Sequence, residues 1–154
     1  MTYEQLAKIA EDEDIEIIEF TFKSGVEGLY SDGTITMNPK IETTTEKKCV
    51  LAEELGHYYT TSGDIIDVKN VCNQKQELKA RNWSYEKLVP LKTLIEASSE
   101  RCTNLFELAE YLDVTEEFLK DTLQHYESKY GLFTEVGDYC IYFSPLTVCK
   151  YSYN

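Results

Sequence analysis

The stretch CVLAEELGH, residues 49–57, decides the reading of this chain. On an α-helix, positions four apart share a face, so Glu53 and His57 project together and can grip one ion from two sides. Glu54 follows about 100° around the helix, near such an ion without having to bind it. This is the layout of the H-E-x-x-H zinc helix, in which the inner Glu acts as general base, with the first histidine exchanged for glutamate. Carboxylate is an accepted zinc ligand, so the exchange does not forbid a metal. Acids and a histidine also occur together on ordinary solvated helices, and the spacing alone leaves both readings open.

The flanks supply a frame for the motif. Thr43 and Glu46 of TTTE form a capping box that opens a helix through KKCVLAEELGHYYT, with Val50, Leu51, Leu55 and Tyr58 or Tyr59 on its buried side. A second helix is expected over about 74–88, QKQELKARNWSYEKL, ended or bent by Pro90. A catalytic zinc needs three protein ligands and a water, and the best third ligand is Glu77 on that second helix. Glu77, Ala80 and Ser84 fall on one stripe, Ala80 leaving room for the helices to approach, while Leu78, Tyr85 and Leu88 pack elsewhere. Gly56 is a small residue beside the ligand face.

Working outward, residues 2–11 put Tyr3, Leu6, Ala7 and Ala10 on one helical stripe, and IEIIEFTFK (15–23) reads as a strand. GLYSDGTITMNP (28–39) carries a D-G turn between extended stretches and reads as a hairpin closed by Pro39. Residues 103–130 read as three short helical pieces within TNLFELAEYL and VTEEFLKDTLQHYESKY, and the tail LFTEVGDYCIYFSPLTVCKY as two strands forming a terminal hairpin. The order of elements indicates α+β, with residues 1–92 as the motif-bearing core and 93–154 as a helical subdomain plus terminal strands packed on it.

Composition excludes several classes. A hydrophobic content of 42% supports a real core. The 28 acids against 15 Lys and Arg give a net charge of −13, which repels phosphate backbones and argues against nucleic acid as a partner. No apolar run approaches the roughly 18 residues of a membrane span. MTYEQLAKIAEDEDIE lacks the basic start and apolar stretch of a secretory signal. Five cysteines without C-x-x-C spacing indicate free thiols, so a cytoplasmic location is expected.

Three stretches together, GLYSDGTITMN, TTTEKKCVLAEELGHYYTTSGDI and QELKARNWSYEKLVP, resemble the ImmA/IrrE family of metallo-endopeptidases of phages and integrative elements. That family's second motif, E-x-x-A-x-x-W/F-A-x-x-x-L-x-P, is matched by Glu77, Ala80, Trp83, Leu88 and Pro90, with Ser84 in place of the second Ala. The resemblance implies a zincin-like domain in which Glu53, His57 and Glu77 hold Zn²⁺ and Glu54 is the general base. With oxygen-rich ligands, Mn²⁺ or another divalent ion is an alternative. It also implies a protein substrate, a helix-turn-helix repressor cleaved to derepress the genes of a prophage or mobile element. Glu53 departs from the usual His. Two carboxylates and a neutral imidazole cancel the charge of Zn²⁺, so ligand charge alone predicts a slower or more conditional peptidase. The alternative is a proteolytically weak or inactive zincin-like module that regulates by binding a repressor.

Other residues bear on the site less directly. Tyr58 or Tyr59 could donate to an oxyanion but more simply pack. His125 and Cys49 have no required ligand role. Residues 104–126 have the cadence of a helix-turn-helix, yet 93–130 hold nine acids against three bases, a poor surface for DNA, so a docking or supporting platform is the better reading. Lys75, Lys79, Arg81 and Lys87 crowd the second helix, either to recognise acidic segments or to balance nearby carboxylates.

Overall fold

The computed structural model describes residues 1–23, 25–61, 71–100, 102 and 104–151. Residues 62–65, the end of one family-like stretch, and Arg101 therefore lie outside the described residues. The chain is α+β, and it divides into two compact units, Met1–Ser84 and Tyr85–Asn154.

In the first unit, helix α1 (Tyr3–Asp12) starts at Thr2, whose hydroxyl accepts from the Gln5 N–H while the Gln5 side chain accepts from the Thr2 N–H. Two donors that a helix start would leave orphaned are thereby satisfied. Strand β1 (Glu16–Glu19) runs parallel to β3 (Thr34–Met37), and β2 (Gly28–Ser31) pairs antiparallel with β3. The order β1-β3-β2 leaves β2 on an edge. Asp32 and Gly33 both have positive φ, 48° and 78°, as a two-residue hairpin turn requires. The first strand is shorter than the 15–23 expected. Its partner β3 ends just before Pro39, and the Phe20 N–H to the Met37 carbonyl is its final rung.

Helix α2 (Thr44–Thr61) opens on the anticipated capping box: the Glu46 N–H donates to Thr43 Oγ1 at 3.1 Å and the Thr43 N–H to Glu46 Oε2 at 3.0 Å. It buries Cys49, Leu51, Ala52 and Leu55. Helix α3 (Val71–Leu88) comes so close to α2 that a Cβ on Gly56 would overlap the Ala80 carbonyl oxygen.

In the second unit, α4 (Leu91–Ser99), which the sequence did not announce, begins directly at Pro90. Instead of three helical pieces across 103–130 there are two helices, α5 (Leu105–Leu112) and α6 (Glu116–Tyr130). Asp113, in the left-handed region at φ 52°, closes the first, and the Thr115 hydroxyl caps the second. The tail forms three antiparallel strands rather than a hairpin: β4 (Phe133–Val136), β5 (Tyr139–Phe143) and β6 (Leu146–Lys150). A second reversal at Ser144–Pro145 returns the chain along β5, so that Leu146 meets Phe143 and Lys150 meets Tyr139. Leu94, Leu108, Leu119, Ile141 and Phe143 form this unit's core, together with Tyr126, whose buried hydroxyl donates to the Val89 carbonyl at 2.7 Å. No helix among the described residues is long and apolar enough to cross a membrane.

The contact at Gly56 sets two effects against each other. Alanine favours a helix interior over glycine by about 1 kcal/mol, whereas a methyl driven into a packed backbone costs about 1–3 kcal/mol. Since the obstacle is main chain, the second effect should win. Gly56→Ala is expected to lose on the order of 1 kcal/mol in urea unfolding. A stabilised variant would show that α3 can retreat freely.

Candidate metal centre

Helix α2 carries Glu53 and His57 on one face, and α3 brings Glu77 to them across the Gly56–Ala80 contact. One ligand atom from each of the three lies within 4.8 Å of the others, the one such cluster found among the described residues. His57 Nε2 stands 3.3 Å from Glu77 Oε2. Two ligands on a tetrahedral ion, with bonds of about 2.0–2.1 Å, are roughly 3.3–3.5 Å apart. That pair is therefore already at ligand spacing, and the two-oxygen, one-nitrogen donor set fits a divalent ion such as Zn²⁺.

Glu54 is the buried member of the group, 7% exposed. Its Oε2 accepts the Tyr30 N–H at 2.7 Å, which ties the edge strand β2 to α2. Gly28 makes this approach possible, because a Cβ there would come within 2.6 Å of Val50 Cγ1 and 2.8 Å of Glu54 Oε1. Burial pushes the Glu54 carboxyl up to about 7, opposed by the Tyr30 N–H and reinforced by Glu53 and Glu77. A carboxyl poised there can both take and return a proton near neutrality. A cavity of about 530 Å³ opens over it, lined by Gly28, Tyr30, Glu53, His57, Glu77 and Arg81 among others.

Arg81 is the site residue whose role the sequence reading did not single out. One turn beyond Glu77 on α3, its Nε donates to Glu53 Oε1 at 3.1 Å and to Glu77 Oε1 at 3.0 Å, and its Nη2 lies 2.9 Å from the same Glu77 oxygen. Of the two roles open to the basic cluster, balancing carboxylates is the one Arg81 fills, while Lys75 and Lys79 are exposed. The available signal was its i,i+4 relation to Glu77. Burial raises the Glu53 carboxyl, with Arg81 opposing and Glu77 adding to the rise.

The residues set aside have other partners. Tyr58 and Tyr59 are not core residues of α2, and both hydroxyls donate to Glu13, at 2.8 and 3.0 Å, so neither is aimed at an oxyanion. Tyr59 also stacks on Trp83 at 4.9 Å. His125, in the second unit, faces Glu86 at 2.8 Å. Ser84, the departure from the family's second motif, is fully buried, yet its hydroxyl donates to the Arg81 carbonyl at 2.8 Å, so the polar group is satisfied where it stands.

The model of the peptidase M78 family, described as the IrrE N-terminal-like domain, matches residues 10–124. Comparison with curated protein sequences gives no match. The chain belongs to the IrrE N-terminal-like domain family and carries its zincin-like, metallopeptidase-type domain. That family indicates a divalent metal, usually zinc.

Burial of Glu54 has a measurable consequence in metal-free protein. Below pH 4.5, both folded and unfolded chains hold this proton and nothing is lost. Between 4.5 and about 7 the unfolded carboxyl ionises while the folded one resists, so stability falls as pH rises. Above that range the full cost is in place, up to about 3 kcal/mol. Glu54→Gln removes the ionisation and keeps an acceptor for Tyr30. In the presence of chelator its stability advantage over wild type should therefore open between pH 5 and pH 8. An advantage that is the same at both pH values would show that Glu54 is not held in this way.

Proposed function

We propose that this member of the family is a metal-dependent endopeptidase, with Glu53, His57 and Glu77 holding a divalent ion, zinc first, and Glu54 as general base. The observation that carries the reading is a buried carboxyl, raised to about 7, placed beside a three-residue ligand cluster in an open cleft. The ion, when bound, would supply Lewis acidity toward water and the scissile carbonyl. The chain's own residues do the rest. The Tyr30 N–H holds one oxygen of Glu54 in place, so the carboxylate is oriented to take the proton of the attacking water and to pass it to the departing amine.

The same hydrogen bond supports a mode of substrate binding. Tyr30 donates away from β3 and toward Glu54, so the free edge of β2 faces the cleft. An extended peptide added along that edge would be held by main-chain bonds and would run past the ligand cluster. Leu29 on that strand is 50% exposed and offers apolar contact. The family resemblance supplies the narrower reading, site-limited cleavage of a helix-turn-helix repressor of a phage or mobile element in the cytoplasm.

A second reading, a weak or inactive module that binds a repressor, is favoured by one feature: Glu53 stands where the usual motif has a histidine. The two readings separate in one experiment. Zinc-loaded wild type is assayed on a fluorogenic peptide library and on candidate repressors, with bound metal measured by elemental analysis. Glu54→Gln should keep its metal and lose about 10²–10⁴-fold in kcat/KM. His57→Ala and Glu77→Ala should lose metal and activity together. Stoichiometric metal in a wild type that cuts nothing but binds a repressor would establish the second reading.

A further inference from the structure

Glu53 in place of histidine adds a negative charge to the ligand set. Two glutamates and one neutral imidazole carry −2, whereas two imidazoles and one glutamate carry −1. Arg81 touches both of those glutamates and lines the same cavity. Among the described residues lining that cavity it is the only Lys or Arg. Counting the guanidinium returns the site to −1.

We propose that Arg81 is the counter-charge to the second carboxylate ligand, Glu53, holding the ligand set one charge short of neutralising a divalent ion. The inference rests on the metal-centre reading above and deepens it, since it assigns a positioning and electrostatic role to a residue outside the ligand set. The guanidinium uses Oε1 of Glu53 and Oε1 of Glu77, while Glu77 Oε2 faces His57. Glu77 therefore presents one oxygen beside His57 while Arg81 holds the other. Arginine suits this position better than lysine, because its planar fork reaches carboxylates from two helices at once and keeps its charge at any working pH.

A residue that merely oriented ligands would strengthen metal binding, as hydrogen-bonded outer partners generally do. A counter-charge does the opposite, because a fixed positive group a few ångströms from a divalent cation repels it. The sign of the change on removing Arg81 therefore decides between the two roles, independently of turnover. The full chain is stripped of metal and its Zn²⁺ affinity is measured by competition with a chromophoric chelator, with circular dichroism confirming that each variant is folded. Arg81→Gln should bind Zn²⁺ more tightly than wild type, by about tenfold or more. Arg81→Lys keeps the charge and loses the fork, and should stay within a few-fold of wild type. Arg81→Met removes the charge with a different side chain and should follow Arg81→Gln, so that one poorly folded variant does not decide the outcome.

Weaker binding in both charge-removing variants would make Arg81 an orienting clamp and overturn the counter-charge. Equal affinity across the whole series would overturn it as well. A wild-type chain that takes up neither Zn²⁺ nor Mn²⁺ would overturn the metal-centre reading, and this inference with it.

Discussion

The approach of α2 to α3 at Gly56 and Ala80 is the constraint from which the site follows. Gly56 immediately precedes His57, and Ala80 lies one turn beyond Glu77, so the point of closest approach is also where the ligands face each other. With no side chain at Gly56, the helix backbones themselves are in contact, and their spacing is set by main-chain atoms that cannot change rotamer. Each helix is rigid over several turns, so fixing one contact fixes the ligand geometry on either side of it. The 3.3 Å separation of the His57 and Glu77 side chains spans that contact. A glycine in a helix interior costs stability, and here it is retained where the cost secures the site.

A second close approach, between β2 and α2, does the corresponding work for Glu54. Gly28 removes the side chain that would push the strand away, and the Tyr30 N–H satisfies one carboxylate oxygen. The result is a carboxyl stripped of water and flanked by two other acids, which for stability alone is a poor arrangement. Such local cost is the usual mark of a group kept for its chemistry. It also explains why the site needs both glycines. One lets Glu53 and His57 meet Glu77, and the other lets Glu54 be buried beside them.

How much of this was legible depended on whether the cause was local. The Thr43–Glu46 capping box, the Asp32–Gly33 turn and the stripe of Glu77, Ala80 and Ser84 are all set within a few residues, and they stand in the structure as the sequence indicates. The strand β1 and the tail were misjudged because strand length is fixed by the partner. β1 stops where β3 stops, and β6 exists because β5 offers it an edge. Helix α4 is not legible because Pro90 marks equally well the end or bend of one helix and the start of another, and here it does the second. Arg81 was visible as part of a basic cluster, but its carboxylate partners come from two helices, and no single-helix periodicity reveals a contact with Glu53.

The charge arrangement around the cleft carries the argument one step further. Glu27, Glu53, Glu54 and Glu77 all line one cavity in a chain that is already at −13. Burial pushes the Glu53 and Glu54 carboxyls up, and the acids beside them add to the rise while Arg81 opposes it at Glu53. Arg81 compensates only part of that charge. A cation held by Glu53, His57 and Glu77, as proposed above, would offset more of that charge. In that proposed state the three ligands would hold their ion, Glu54 would work as a base, and the edge of β2 would face a site able to polarise the carbonyl of a peptide laid along it. On the same proposed reading, an acidic segment entering the cleft would meet like charge, so a peptidase at this site would favour neutral or basic sequence.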